Sequence, residues 1–474
     1  MAVNALLLRE CGALSGLNSG LGTRHVFCRA QKQRRLAWSW ANLVSCFAVG
    51  MKTTALSELG RRLEPPPISW LMELALTRPG LISLAAGFTD TATLPVAPCR
   101  RLLNQLLRSH RHGQPALQYG TTQGDPVLRQ LTAADFAVLD GSPSPLKTHS
   151  PDRIIITNGS QQLLYLAVEA LCDAGDIVLV EDPTYFVFLG ILQARGVRSR
   201  GVRMAHDGLD VEHLKFVLDQ LKRDGQLHRL KLVYLVTYYQ NPTGVTTSFE
   251  KKAETLQVLR GYEKAAGHPI YLLEDAAYRE LRFRGGDIKS ALAVDGYWDR
   301  VIYAGTYSKP FASGVRVGFG LLPPSLCEPV LWLKGNHDFG TASLLQKLLA
   351  LAIVSGEYEE HLARVQRRYA QKAALMRRAI QAHFPDSVEV WEPAGGLYYW
   401  ARLPAGVKTG VRSKLFKAAL ARDVLYVPGE LCYCDDPTRP KPNHEMRISF
   451  GNATERHIRD GIARLGSVLR KVLD

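Results

Sequence analysis

The chain has 474 residues, 46% of them hydrophobic and 22% charged, with a formal net charge of +15 and eight cysteines. That length exceeds one ordinary core, so two domains, or one large domain with a satellite, are expected. The composition reads as soluble and globular, and the cysteines are too few for a disulfide scaffold. The basic excess suits anionic ligands such as phosphates and dicarboxylates, while no zinc finger, RNA-binding signature or helix-turn-helix pattern supports nucleic acid.

Residues 1–50 differ from the rest: Arg9, Arg24, Arg29, Lys32, Arg34 and Arg35 stand against Glu10 alone. An Arg-rich, acid-poor leader reads as a transit peptide, and the apolar run after Arg35 offers a secretory reading. The favoured reading is that Met51 is the true start. A cytoplasmic location then follows, with an organelle as the alternative. The run is too short to span a membrane, and no other stretch is a candidate.

From Ile154 to about Gly320, short apolar runs alternate with helical stretches. Strands are predicted at 153–157, 176–180, 232–236, 270–273 and 300–304. The spacing of Leu163, Leu164, Ala167, Val168 and Leu171 predicts a helix over 160–172. Strands separated by helices give an α/β fold, a mostly parallel sheet covered on both faces, with ligands beyond the strands' carboxyl ends. Further on, a long helix is predicted at 356–384, a strand pair within 389–403, a helix at 414–423, a strand at 447–450 and a closing helix at 455–472. The division is an extension at 1–50, an arm at 51–98, a large domain at 99–330 and a smaller α+β domain at 331–474. Residues 435–443, rich in Pro and charge, predict a mobile loop, and His110-Arg111-His112 a solvated one. Cys432-Tyr433-Cys434 has no second pair at ligand spacing, so buried thiols are expected and no metal site.

The chemistry gathers at predicted strand ends. Lys309, in Gly305-Thr306-Tyr307-Ser308-Lys309, has hydroxyl neighbours and Arg316 seven positions on. An amine beside phosphate-binding groups suits a Schiff base to pyridoxal phosphate. Asn158-Gly159-Ser160-Gln161 joins a strand to a helix, where Ser160 either caps the helix or faces an anion. Asn241-Pro242-Thr243-Gly244 is a turn or places an amide on the cofactor's phenolic oxygen. Asp275 is a cap, a surface carboxylate, or the acid that keeps a pyridine nitrogen protonated. Tyr278 lies one helical turn beyond it, as a core residue or a second phenolic-oxygen partner. Tyr185 could stack on a ring. Arg447 makes an ion pair or clamps a carboxylate.

Taken with Ile82 to Gly87, Leu117-Gln118-Tyr119-Gly120, Asp182-Pro183-Thr184-Tyr185 and Pro393-Ala394-Gly395-Gly396, these motifs resemble the class I/II aminotransferases of pyridoxal phosphate fold type I. The likeness runs from about Ile68 to the C-terminus and is closest to the 2-aminoadipate/kynurenine aminotransferase branch and the aminotransferase-like domains of certain bacterial regulators. It implies a sheet of seven-stranded type. It implies that Lys309 forms the internal aldimine and that Asp275 pairs with the pyridine nitrogen. Asn241 and Tyr278 would bind the phenolic oxygen, and Ser160, Gln161, Thr306, Ser308 and Arg316 the phosphate, with Tyr185 on the ring. Arg447 would take the substrate carboxylate, helped by Gly87 and Asn241. Tyr119 would reach the neighbouring subunit's site in a homodimer.

Two departures stand out. Ser313-Gly314 replaces the family's Pro-Gly, and Ala86-Gly87-Phe88-Thr89 replaces a Gly-Gly segment beside the substrate side chain, so specificity does not carry over. No winged-helix pattern precedes residue 68. The implied activity is transfer of an amino group from an α-amino acid to a 2-oxo acid such as 2-oxoglutarate or pyruvate. The alternatives are an amino-acid lyase or decarboxylase on the same apparatus, and a non-catalytic sensing module.

Overall fold

A computed structural model describes residues 55–63, 67–142 and 145–473, so the readings of residues 1–50 lie outside it. Residues 57–474 cluster as one unit. A short parallel pair, β1 (Ile82–Ser83) with β12 (Val424–Leu425), ties the segment before the large sheet to the C-terminal part.

The large sheet contains β2 (Ile154–Thr157), β3 (Ile177–Asp182), β4 (Arg198–Ala205), β5 (Gly208–Leu209), β6 (Leu230–Val236), β7 (Tyr271–Asp275), β8 (Val301–Thr306) and β9 (Gly318–Leu321). Their order is β2-β9-β8-β7-β6-β3-β4-β5. Pairings from β4 through β3, β6 and β7 to β8 are parallel. β9 runs antiparallel between β8 and β2, and β5 is a two-residue addition at the edge. The predicted α/β sheet is therefore present, mixed at one side. Ile154–Thr157, Tyr271–Asp275 and Val301–Thr306 are buried at every position, which for a pleated strand requires cover on both faces.

The predicted strands are all found, within a few residues. β4 and β9 were not predicted. β4 alternates arginines with small residues at the edge, and β9 is Gly-Phe-Gly-Leu, without β-branched residues. A Cβ at Gly320 would fall 2.5 Å from Leu163 and one at Gly305 2.2 Å from Phe319, so close packing selects glycine there.

The second sheet is antiparallel, in the order β10 (Glu389–Trp391), β11 (Tyr398–Arg402), β14 (Glu445–Ser449), β13 (Val427–Pro428). The helices Glu357–His383 and Glu455–Leu473 pack together beside it. Glu357, Glu359 and Glu360 in the first turn complement the longer helix's dipole. One local expectation is corrected: His110-Arg111-His112 opens the helix His110–Leu117, begun by Ser109 in extended backbone. Residues 435–443 form a loop, in which Asp436 accepts from Arg200 Nε (3.1 Å), Gly201 N (3.0 Å) and Thr438 N (2.9 Å). Cys432 and Cys434 are buried free thiols.

Candidate active site

Parallel strands deliver their carboxyl ends to one edge of the sheet, and β9, running the other way, begins there. The segments at that edge enclose a cavity of about 570 Å³. Ser160, Gln161, Tyr185, Asn241, Asp275, Tyr278, Thr306, Ser308, Lys309, Arg316, Gly87 and Arg447 all line it. Tyr119 does not. It is 83% exposed and packs edge-to-face on Phe339, with ring centroids 5.3 Å apart.

One end of the cavity is built for an anion. Asn158, not Ser160, holds the N-cap position of the helix Gly159–Leu171, and its side chain makes no cap bond. It donates instead to Asp338 (2.7 Å), as does Gln162 (2.8 Å), and Lys334 neutralises that carboxylate at 2.8 Å. Gln162 Oε1 in turn accepts from the Asn158 N–H at 2.9 Å. The turn is thereby fixed, with Ser160 and Gln161 in the first helical turn. Arg316, held in the left-handed region at φ 54°, donates to Ser308 Oγ (3.2 Å) and the Asn158 carbonyl (3.5 Å). A Cβ at Gly159 would lie 2.6 Å from its guanidinium. Thr306 Oγ1 accepts from the Ser308 N–H at 3.1 Å. A guanidinium and hydroxyls around a helix N-terminus form a cradle for a phosphate.

Asp275 lies at the cavity floor. It is 4% exposed, and burial pushes its carboxyl up to about 6, opposed by hydrogen bonds donated by the Tyr234 hydroxyl (2.8 Å) and the Ala277 N–H (3.1 Å). It is therefore neither a cap nor a surface acid. Tyr278 follows through a turn and caps the 3-10 segment Arg279–Leu281, so it is not one helical turn away as predicted. Its hydroxyl still reaches Asn241 Nδ2 (3.4 Å) and the Tyr398 hydroxyl (3.1 Å).

Lys309 donates to the Gly87 carbonyl at 2.8 Å. Burial, then the positive charges of Arg447 and Arg316, push its amine down to about 8. Arg447, 1% exposed on β14, donates to Asn241 Oδ1 (2.6 Å) and the Ala85 carbonyl (2.7 Å) and lies 4.2 Å from the Tyr398 ring. Its Nε is buried without a hydrogen-bond partner.

Tyr234 and Tyr398 were missed. Tyr234 sits inside the apolar run of β6, which reads as core. Tyr398 follows the Gly395-Gly396 turn, and only the fold brings it against Gly87, where a Cβ would meet its hydroxyl at 2.5 Å. Phe88, in the 86–89 segment expected beside the substrate side chain, lines the wall, and it is completed by Met72 and Val187, which carry no sequence signal.

The family profile described as aminotransferase class I and II matches residues 79–465. Aromatic-amino-acid aminotransferase 1 of Thermococcus litoralis is 30% identical over 427 residues, 90% of this chain and 93% of that protein. The 2-aminoadipate transaminase of Thermus thermophilus is 31% identical over 416 residues, covering 87% and 96%. Among solved structures, the kynurenine aminotransferase of Pyrococcus horikoshii superposes with a TM-score of 0.80 at 30% identity, over 89% of this chain and 98% of that one. A profile spanning most of the chain, relatives matched over nearly their whole length, and a shared fold place this protein in the class I and II aminotransferase family.

Proposed function

We propose that the protein moves an amino group from an α-amino acid to a 2-oxo acid, with pyridoxal phosphate held covalently by Lys309. The observation that carries this reading is the convergence of a depressed amine, a buried acid and two guanidiniums in one cavity. The donor set fits the cofactor. Gly159 leaves room for Arg316 against the helix terminus. The relatives act, by their names, on aromatic amino acids and 2-aminoadipate, and a kynurenine enzyme shares the fold.

Bound pyridoxal phosphate supplies an aldehyde for the substrate amine and a protonated ring that stores the electron pair released at Cα. In our reading Arg316, Ser160, Gln161, Thr306 and Ser308 hold the phosphate, and Tyr185 packs on the ring. Asn241 and Tyr278 bind the phenolic oxygen. Asp275, ionised at neutral pH, keeps the ring nitrogen protonated. Arg447 orients the α-carboxylate, with Asn241 fixing the guanidinium and the Gly87 segment beside it. Lys309 then takes the proton from the substrate Cα. Its depressed basicity leaves a useful neutral fraction near pH 7 to 8. The exposed Tyr119–Phe339 pair supports a homodimer in which Tyr119 enters the partner's site.

Borohydride reduction of the cofactor-loaded protein followed by peptide mapping tests the assignment. The label is expected on Lys309 alone, and Lys309→Ala should lose it together with turnover. A label on another lysine, or no cofactor uptake, overturns the reading. Ammonia release without an oxo acid would make the protein a lyase.

A further inference from the structure

The cavity wall contains three cations, Lys309, Arg316 and Arg447, and one acid, Asp275. The reading above engages all four, so among the described residues of this protomer no charge in the cavity remains for a second charged group on the substrate. The backbone shows where the substrate side chain goes. The Ala85 carbonyl accepts from Arg447 and the Gly87 carbonyl from Lys309. The 85–87 segment therefore passes both groups that flank the substrate Cα, and Phe88 comes next. Val187 follows Phe186, whose ring lies 5.5 Å from the Arg447 guanidinium, and Met72 closes the wall from the helix Pro67–Thr77. Met72, Phe88 and Val187 are each only half-buried, so they keep apolar surface uncovered where they line the cavity.

An adjoining groove of about 910 Å³ shares Gln161, Phe186 and Val187 with this cavity and carries Arg198, Arg200 and Lys441. Those cations are engaged: Arg198 with the Gly175 carbonyl and Gln226, Arg200 with Asp436 and Gln220, Lys441 with Asp435. Arg200 and Lys441 are paired with carboxylates, and Arg198 lies at the amino end of β4, opposite Ile177 and away from the cavity at the strands' carboxyl ends.

We infer that Met72, Phe88 and Val187 make this a transaminase for amino acids with uncharged apolar side chains, aliphatic or aromatic, paired with monocarboxylic oxo acids such as pyruvate. It discriminates against dicarboxylates such as glutamate, 2-aminoadipate and 2-oxoglutarate. The physical reason is that a distal carboxylate would lose its hydration among apolar atoms with no countercharge, whereas an apolar chain gains by burial there. This rests on the function proposed above.

The test uses the full chain loaded with pyridoxal phosphate. Single-turnover conversion of the bound cofactor is followed by absorbance with leucine, phenylalanine, glutamate and 2-aminoadipate. The apolar donors should exceed the acidic ones in kcat/KM by about 100-fold, within the range that pocket contacts supply. Binding is read separately as a thermal shift: 4-methylpentanoate should bind at least about tenfold tighter than glutarate. Met72→Arg should raise the glutamate-to-leucine ratio by about tenfold or more. Acidic donors equal to or faster than apolar ones, or glutarate binding as tightly, overturn the pocket assignment and leave the transaminase reading standing. If no amino acid converts the bound cofactor, that reading fails and this one with it.

Discussion

Asp275 shows how one side chain is set against the stability of its own fold. Its carboxyl titrates near 6 in the folded chain against 3.8 ordinarily, so the folded state holds the proton more tightly than the unfolded one. The sign follows: the contribution favours folding below about pH 4 and is lost as pH rises through about 6. Fully ionised, the buried carboxylate costs about 3 kcal/mol. Asp275→Asn is therefore expected to stabilise the cofactor-free protein at neutral pH by up to that amount, with the difference vanishing near pH 4. Denaturant unfolding across this range measures it. Cofactor conversion by an amino acid should fall by about 100-fold or more, since a buried charge aimed at the reacting system is removed. An Asn variant less stable at pH 7 would contradict the account. The same tension holds at Lys309, whose amine is depressed by burial beside two guanidiniums.

At the scale of elements, β9 matters most for the phosphate end. It pairs with both β2 and β8, Gly318 facing Thr157 and Thr306. A Cβ at Gly318 would lie 2.5 Å from Gly159 C and Ser160 N. The backbone of the anion-binding helix thus rests directly on this strand. Gly318→Ala should push that turn away, costing about 1–3 kcal/mol of stability and at least about tenfold in cofactor affinity, as read by absorbance titration. Gly314→Ala, where no atom lies within 4 Å, should change neither. Both effects absent at Gly318 would show that the turn is not held from below. The element was invisible in the sequence because glycine has no strand preference. β2, β6 and β8 were legible because runs such as Ile-Ile-Ile-Thr suit only a doubly covered strand.

At the scale of the molecule, Tyr119, Leu117 and Phe339 leave aromatic and aliphatic surface open, and clustered apolar exposure marks an interaction surface. Sedimentation equilibrium should find a particle of two 52.5 kDa chains. Tyr119→Ala should keep that mass while lowering turnover by about tenfold or more, because a positioning contact is lost from the neighbouring site. A fully active monomer would end the dimer reading.

By itself the sequence determined the α/β pattern, the strand ends that carry Ser160, Asn241, Asp275 and Lys309, and the family likeness. Apolar periodicity and short motifs are local properties, readable within a window of a few residues. Only the tertiary structure decided that Tyr234 bonds Asp275, that Tyr398 lies between Arg447 and Tyr278, and that Met72, Phe88 and Val187 share one wall. Those residues come from segments far apart in the chain, and no local pattern marks a side chain whose role depends on what folds against it. The 435–443 loop makes the same point. Its Pro and charge mark a loop in the sequence, and only the fold brings Asp436 onto Arg200 and Gly201 of β4.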